Sequence, residues 1–181
     1  RAAQDAANAA AAAQADRTLA EAWQSRRAYP LVVTQGDGNL GVKGKNFEML
    51  FSIAGAGPAS LKVNGTEWLW HAPRPAFWRA STDNDRGCGF PLRAAAWMAA
   101  DVFVTYNGMK VLEAGPDCVK VQFQFGIPTV PGASAELVYT VEAQGALRVD
   151  AVYHGVAGAP ELPCFGVKFE TFGPVTRTVW T

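Results

Sequence analysis

The chain has 181 residues, of which 49% are hydrophobic, and its 16 Lys and Arg balance its 16 Asp and Glu. That length and composition suit one domain with a substantial core. Zero net charge argues against a nucleic-acid or membrane-surface partner, since both attract clustered positive charge, and no apolar run reaches the roughly 20 residues that cross a bilayer.

The first 28 residues form a compositional block of their own. Nearly half of them are Ala, the residue with the best helix propensity, so residues 1–28 are predicted to form an Ala-rich N-terminal helix. Its only large apolar side chains are Leu19 and Trp23, which leaves little surface to pack against a core. No role is predicted for this segment.

From residue 29 to residue 181 the pattern is that of one β-sandwich domain. Apolar and polar residues alternate along successive runs, which predicts antiparallel strands with one face on a core. Strands are predicted at residues 31–34, 40–43, 47–52, 60–63, 66–70, 119–125, 137–142, 147–154, 165–172 and 175–181. The predicted fold class is therefore all-β, a large antiparallel β-sandwich.

Two local signals refine this prediction. Asn64-Gly65 lies between two strand-like runs and supplies positive φ angles, which predicts a two-residue type I′ hairpin. Pro91 opens a run of strong helix formers that ends at Ala100, which predicts one short inserted helix. The chain starts with Arg1 and stops within a predicted strand, so we expect the domain of residues 29–181 to be truncated at its C-terminus.

The cysteine pattern bears on the cellular compartment. Cys88, Cys118 and Cys164 are far apart and show no C-x-x-C spacing, which indicates reduced thiols rather than a disulfide framework or a zinc site. The first residues do not resemble a signal peptide. We therefore expect a cytoplasmic protein.

The densest polar cluster lies at residues 78–87. Its candidate substrate-binding or interface residues are Trp78, Arg79, Thr82, Asp83, Asn84, Asp85 and Arg86. In extended backbone Asp83 and Asp85 would share one face of a strand, which does not place carboxylates on both sides of a sugar as a glycosidase requires. Gly87 and Cys88 also break the pattern of a calcium-binding loop. We therefore predict no catalytic residue and no metal ligand in this cluster.

Two interpretations of the cluster remain open. In the favoured one, Arg79 and Arg86 neutralise Asp83 and Asp85 in a turn under the adjacent aromatic residues, because buried charges persist only when they are paired. Replacing Arg79 or Asp83 by Ala would then destabilise the domain. In the other, the cluster is a polar platform that faces a sugar or a partner domain.

Aromatic and imidazole side chains give weaker signals. Trp68 and Trp70 can stack on a sugar, although tryptophans two residues apart on a strand are expected to cover the core on at least one face. His71 and His154 lie in no partner pattern with Ser, Asp or Cys, so they are interpreted as solvated or capped rather than as general bases.

One stretch is specific to a known family. The run Phe77-Trp78-Arg79-Ala80-Ser81-Thr82-Asp83-Asn84-Asp85-Arg86-Gly87, which follows the Asn64-Gly65 hairpin, resembles the small chain of two-subunit β-galactosidases. That chain is equivalent to the C-terminal domain of single-chain enzymes of glycoside hydrolase family 2. Supporting matches are Ala95-Ala96-Trp97, Thr129-Val130-Pro131, Leu162-Pro163 and Phe165-Gly166. The resemblance covers residues 31–181 and leaves the Ala-rich segment outside.

The resemblance implies a supersandwich of the galactose-mutarotase-like type. It implies a non-catalytic portion of an enzyme that hydrolyses terminal β-D-galactose residues of lactose-type substrates with retention. In that family the two catalytic glutamates and a magnesium site belong to a separate barrel domain or large subunit. The resemblance thus implies no cofactor in this chain, Mg in the partner, and an inactive isolated chain. The family's small domain closes the mouth of the active site, so the substrate would lie at a shared cleft; the tryptophan it adds to the sugar pocket comes from beyond Thr181.

Two other functions stay open. One is a stand-alone carbohydrate-binding module, in which Trp68, Trp70 or Trp78 stacks on a sugar. The other is a mutarotase-like aldose epimerase, which needs a His acid and a carboxylate base facing one pocket. The epimerase is the least favoured, because a shared fold does not transfer function.

Overall fold

The computed structural model of the chain describes residues 29–172, which form eleven β-strands and three short helices. The strands are β1 (Val32–Gln35), β2 (Asn39–Lys43), β3 (Phe47–Ser52), β4 (Gly57–Val63), β5 (Thr66–Glu67), β6 (Leu69–Ala76), β7 (Thr105–Ala114), β8 (Cys118–Gly126), β9 (Ser134–Glu142), β10 (Leu147–His154) and β11 (Gly166–Thr171). The helices are α1 (Asp83–Gly87), α2 (Phe90–Arg93) and α3 (Ala95–Phe103). The predicted Ala-rich helix and the last predicted strand, residues 175–181, lie outside the described residues.

The strands build two main antiparallel sheets that face each other. The first has the order β1-β2-β3-β4-β5 and the second the order β10-β9-β8-β7, while β6 and β11 form a separate pair. Phe51 on β3 lies 6.1 Å from Phe123 on β8 and 5.7 Å from Tyr139 on β9, measured between ring centroids. This contact across the two sheets confirms the predicted all-β sandwich.

The core follows from the alternation in the sequence. On β8 the inward side chains of Val119, Val121 and Phe123 are fully buried and Phe125 is 2% exposed. Their polar neighbours along the strand point to the other face, as the period of two requires. Burying each such side chain contributes about 1.5–3 kcal/mol to folding, so this register is strongly preferred over one shifted by a residue.

The predicted hairpin is present. Asn64 and Gly65 have φ angles of 51° and 80° and join β4 to β5 through the Val63–Thr66 pair, as a type I′ turn requires. The predicted strand at residues 66–70, however, is divided at Trp68. β6 then leaves the five-stranded sheet and pairs with β11 instead.

The side chain of Glu67 lies at the point where β5 ends. The carboxylate of Glu67 accepts hydrogen bonds from the backbone N–H of Leu61 at 2.9 Å and from those of Trp68 and Leu69 at 3.0 Å, and from the hydroxyl of Ser60. Burial opposes ionisation of Glu67, but these four donors together hold its pKa below the usual range. The carboxylate thus accepts from amides on both sides of the point where β5 ends, and the N–H of Trp68 also donates to the backbone oxygen of Leu61 on β4 at 2.9 Å.

The prediction of one inserted helix from Pro91 to Ala100 is wrong in detail. The segment contains α2 and α3, which are separated by Ala94 with φ −99° and ψ 10°. A further helix, α1, precedes them. Ala94 is fully buried beside the core, so tertiary packing at this point overrides the uniform helix propensity of the sequence.

Candidate functional site

The 78–87 segment leaves the core directly after β6. Phe77 is fully buried and stacks between Trp97 and Phe165, with ring centroids 5.8 Å away from each. Its backbone N–H donates a 2.6 Å hydrogen bond to Oδ1 of Asp101 on α3. The following residue, Trp78, is half-buried against the same core. The start of the segment is therefore held in place by the buried ring of Phe77 and by the hydrogen bond from its backbone to α3.

Thr82 and Asp85 set the geometry of α1. The side-chain oxygen of Thr82 accepts from the backbone N–H of Asp85 at 3.2 Å, and Oδ2 of Asp85 accepts from the backbone N–H of Thr82 at 2.8 Å. This reciprocal capping box satisfies two N–H groups that a helix N-terminus otherwise leaves unpaired. The Asp and Thr in the sequence thus start a helix here.

Arg79 also binds the carboxylate of Asp85. Its Nη1 and Nη2 donate to the two oxygens of Asp85 at 2.6 and 3.2 Å, and its Nε donates to the backbone oxygen of Pro163 at 3.3 Å. The Asp85 side chain is 16% exposed. The Arg79 guanidinium, with the donors of Thr82, holds the pKa of Asp85 far below its usual range. One arginine therefore ties α1 to the loop that precedes β11.

The second acid of the cluster is placed differently. Asp83 forms an ion pair with Arg86 one helical turn later, and Arg86 also donates to the backbone oxygen of Ser81 at 3.2 Å. The Asp83 side chain is 95% exposed, and Asn84 beside it is exposed as well. Ion pairs of Arg79 and Arg86 with the two acids are thus present, but the interpretation of Asp83 as part of a buried charge pair is wrong.

The geometry limits what this cluster can do chemically. Asp83 and Asp85 lie on a helix rather than in extended backbone, so their side chains point about 200° apart around its axis. Neither carboxylate faces the other across a space for a sugar, and each is engaged by an arginine. What α1 does present to solvent is a polar edge of Asp83 and Asn84 on a rigid frame. The role of the seven candidate residues as interface or substrate-binding groups stays a prediction.

The expectation that Trp68 or Trp70 covers the core is wrong. Both are exposed, at 51% and 57%, and the residue between them, Leu69, is the one that faces the core at 6%. The Trp70 ring is held edge-on by Phe172, with 4.7 Å between ring centroids, and by His71 at 5.7 Å. These two tryptophans are available at the surface of the described residues.

Both histidines have carboxylate partners that sequence reasoning missed. Nδ1 of His71 lies 2.7 Å from Glu170, across the β6–β11 pair, and Nε2 of His154 lies 3.4 Å from Glu136, on neighbouring β9. The hydrogen bond from His71 lowers the pKa of Glu170. In sequence the first pair is 99 residues apart, so only the strand register could have revealed it.

The described residues hold no cluster of metal-ligating side chains. Within residues 29–172 no three His, Cys, Asp or Glu side chains come together as a metal site would require. The expectation that magnesium binds in a partner stays a prediction. Cys88, Cys118 and Cys164 are all free thiols. No helix in the described part of the chain combines the length and hydropathy needed to cross a bilayer.

Comparison with known proteins gives a consistent result. Residues 43–181 match the family model described as β-galactosidase small chain. The chain is 40% identical over 169 residues to the β-galactosidase small subunit of Latilactobacillus sakei, an alignment that covers 83% of this chain and 53% of that protein. It is 34% identical over 148 residues to a β-galactosidase of Clostridium acetobutylicum and 37% identical over 140 residues to one of Streptococcus thermophilus. These two alignments cover 82% and 77% of this chain but only 16% and 14% of the relatives. The chain thus spans about half the length of the small subunit that it matches.

Proposed function

This chain belongs to the β-galactosidase small-chain family, and we propose that it is the non-catalytic β-sandwich portion of an enzyme that hydrolyses terminal β-D-galactose residues of lactose-type substrates. It works with a large subunit or a catalytic barrel domain. That partner supplies the acid/base and nucleophile of a retaining glycoside hydrolase and holds the magnesium ion. The unpaired thiols support a cytoplasmic setting for this assembly.

The observation that carries the proposal is the state of the two acids in the family-specific segment. Asp85 is fully engaged by Arg79 and by the capping box, and Asp83 is paired with Arg86. A general acid must carry a proton at the working pH, and a carboxyl whose pKa is strongly lowered is ionised at neutral pH and has no proton to donate. We therefore assign these residues to positioning, with α1 shaping the rim of a cleft whose reacting groups belong to the partner.

A reconstitution experiment tests this role. The purified chain is assayed with a chromogenic β-galactoside alone, with the large subunit of the L. sakei enzyme alone, and with the two mixed. We expect no turnover by the chain and a higher rate in the mixture than with the large subunit alone. Turnover by the chain itself, or a mixture no more active than the large subunit and without a detectable complex, would contradict the proposal.

One observation favours a second function, that of a stand-alone carbohydrate-binding module. Trp68 and Trp70 are both about half exposed, and aromatic faces of this kind stack on pyranose rings. Titration of tryptophan fluorescence with galactose and with lactose separates the two functions. Saturable quenching in the free chain that disappears in Trp68→Ala or Trp70→Ala supports the binding module, whereas an unchanged spectrum leaves the β-galactosidase portion as the assignment.

A further inference from the structure

The most exposed large hydrophobic residues of the described part fall in one segment of the chain. Leu92 is 86% exposed, Val102 71% and Phe103 62%, and all three belong to the helical segment between β6 and β7. Met98 in the same segment is 53% exposed. Single exposed apolar residues need no explanation, but a group of them on one element marks an interaction surface.

Three of these residues, Met98, Val102 and Phe103, belong to α3 and lie away from its buried side. Trp97 and Ala100 are fully buried and define its inward side. At about 100° per residue, the opposite side carries a set that is entirely apolar. We call this set the outer face of α3, and it consists of Ala95, Met98, Ala99, Val102 and Phe103.

A helix that faced solvent on that side would carry polar residues there. The single charged residue of α3 is Asp101, and it accepts the hydrogen bond from the backbone N–H of Phe77 rather than serving the outer face. Helices that are apolar on both sides occur where both sides are covered. The outer face therefore needs a covering element.

The outside of the four-stranded sheet gives a contrast within the same molecule. It carries ion pairs such as Lys120–Glu113 at 3.1 Å and Arg148–Asp150 at 2.7 Å, which are typical of a solvated surface. The outer face of α3 carries no charged residue and, among the described residues, takes part in no ion pair. An exposed patch without charged residues has the composition found at the centre of a protein–protein interface.

We propose that the outer face of α3, together with Leu92 of α2, docks onto an apolar surface of the catalytic polypeptide of β-galactosidase. The proposal rests on the function proposed above and names the surface through which the chain would act. The single-chain relatives support this occupant, because the part that matches this chain is only 14–16% of their length and is joined to a much larger polypeptide. The match to the family model includes all of α2 and α3.

Methionine footprinting tests whether the face is covered and by what. Peroxide oxidation is followed by mass spectrometry at Met98, with half-buried Met109 and buried Met49 as internal references. We expect Met98 to react readily in the full chain alone and to be protected several-fold by the L. sakei large subunit, while Met109 changes little. Protection of Met98 already in the monomeric chain would show that residues of this chain cover the face and would overturn the proposal.

A binding measurement with matched variants completes the test. V102S/F103S replaces the two most exposed residues of the outer face by polar ones. L112S/V152S does the same to two residues of the four-stranded sheet, Leu112 and Val152, which are 46% and 42% exposed. We expect the first to weaken binding to the large subunit about tenfold or more and the second to leave it within about twofold. Circular dichroism checks that both fold, and L92K provides a second substitution, at a residue that is 86% exposed.

The outcomes separate the two proposals. If the unaltered chain binds and V102S/F103S binds equally well, the docking surface is wrong while the proposed function stands. If the unaltered chain does not bind at all, the proposed function fails and the docking surface with it. If sedimentation shows a homodimer that V102S/F103S dissociates, a second copy occupies the face, and the inference of a catalytic partner is overturned.

Discussion

The guanidinium of Arg79 donates two hydrogen bonds to the carboxylate of Asp85, at 2.6 and 3.2 Å. It donates another hydrogen bond to the backbone oxygen of Pro163. The two acidic residues of this segment are therefore unequal. Asp85 connects α1 through Arg79 to a distant loop, whereas Asp83 lies almost fully in solvent and, among the described residues, pairs with its helical neighbour Arg86.

Replacing the two acids should reveal this inequality. Asp85→Asn weakens both the capping box and the Arg79 contact, so we expect the melting temperature to fall by several degrees. Asp83→Asn is the matched control two residues earlier on the same helix, and because exposed ion pairs contribute little, its melting temperature should change by less than a degree or two. Differential scanning calorimetry measures both. Equal losses in the two variants would show that Asp85 has no special structural role.

The pH dependence of stability provides a second test of the same pair. The pKa of Asp85 lies below that of an unfolded aspartate, about 4, so its stabilisation is fully present above that pH and is lost as the pH falls through the folded-state value. We therefore expect the wild-type chain to exceed Asp85→Asn in melting temperature at pH 7 and the difference to shrink progressively below about pH 4. A difference that stays constant from pH 7 to pH 3 would exclude Asp85 as its source.

The buried hydroxyl of Tyr139 leads to a stabilising substitution. Tyr139 is fully buried between the sheets, and its hydroxyl has no hydrogen-bond partner among the described residues. Burial raises the pKa of this phenol, because nothing compensates its ionised form. Since an unpaired buried polar group costs about 1–3 kcal/mol, Tyr139→Phe should raise the free energy of unfolding by about 1 kcal/mol in urea titrations.

Tyr153→Phe serves as its control. Tyr153 is half-buried at the edge of the core. Among residues 29–172, its hydroxyl is not one of those that are both buried and without a hydrogen-bond partner. The change in free energy of unfolding should stay within about 0.5 kcal/mol. If Tyr139→Phe were the more destabilised of the two, the hydroxyl of Tyr139 would have to be bound in solution, for example by a buried water.

Trp97 is expected to be the most sensitive tryptophan among those described. It is fully buried, stacks on Phe77, and its Nε1 donates a 3.0 Å hydrogen bond to the backbone oxygen of Pro160. Trp97→Ala should lower the free energy of unfolding by about 3–5 kcal/mol. Trp70→Ala removes an equally large but exposed ring and should cost less than about 1 kcal/mol. Similar losses for both in urea denaturation would contradict the placement of Trp97 in the core.

Local patterns in the sequence were sufficient to predict an element wherever neighbouring residues alone decide its structure. The alternation of Val119 to Phe125 predicts β8 because a strand with one buried face has a period of two, and Asn64-Gly65 predicts its turn because few other residues adopt two positive φ angles. The strand β7 escaped prediction because its pairing with β8 has two register shifts, which interrupt that period.

Some features of the candidate site at residues 78–87 could be predicted from the sequence and others could not. The residue types and spacing of the 78–87 segment were enough to identify it and to pair arginines with acids, since opposite charges close in sequence attract in any compact fold. They did not reveal the helix α1, whose capping box competes locally with extended backbone, nor which acid would be enclosed. Asp85 is enclosed because the loop carrying Pro163, far along the chain, folds back onto Arg79.

The sequence alone therefore determined the class of fold, the hairpin, the inward residues of the strands and the family to which the chain belongs. Only the tertiary structure decided that Trp68 and Trp70 point outward, that His71 meets Glu170, and that α3 is apolar on both sides with one side left open. The physical reason is that periodicity and turn chemistry depend on neighbours along the chain. Exposure and long-range pairing depend instead on how sheets and helices pack, and residues far apart in sequence contribute equally to that packing.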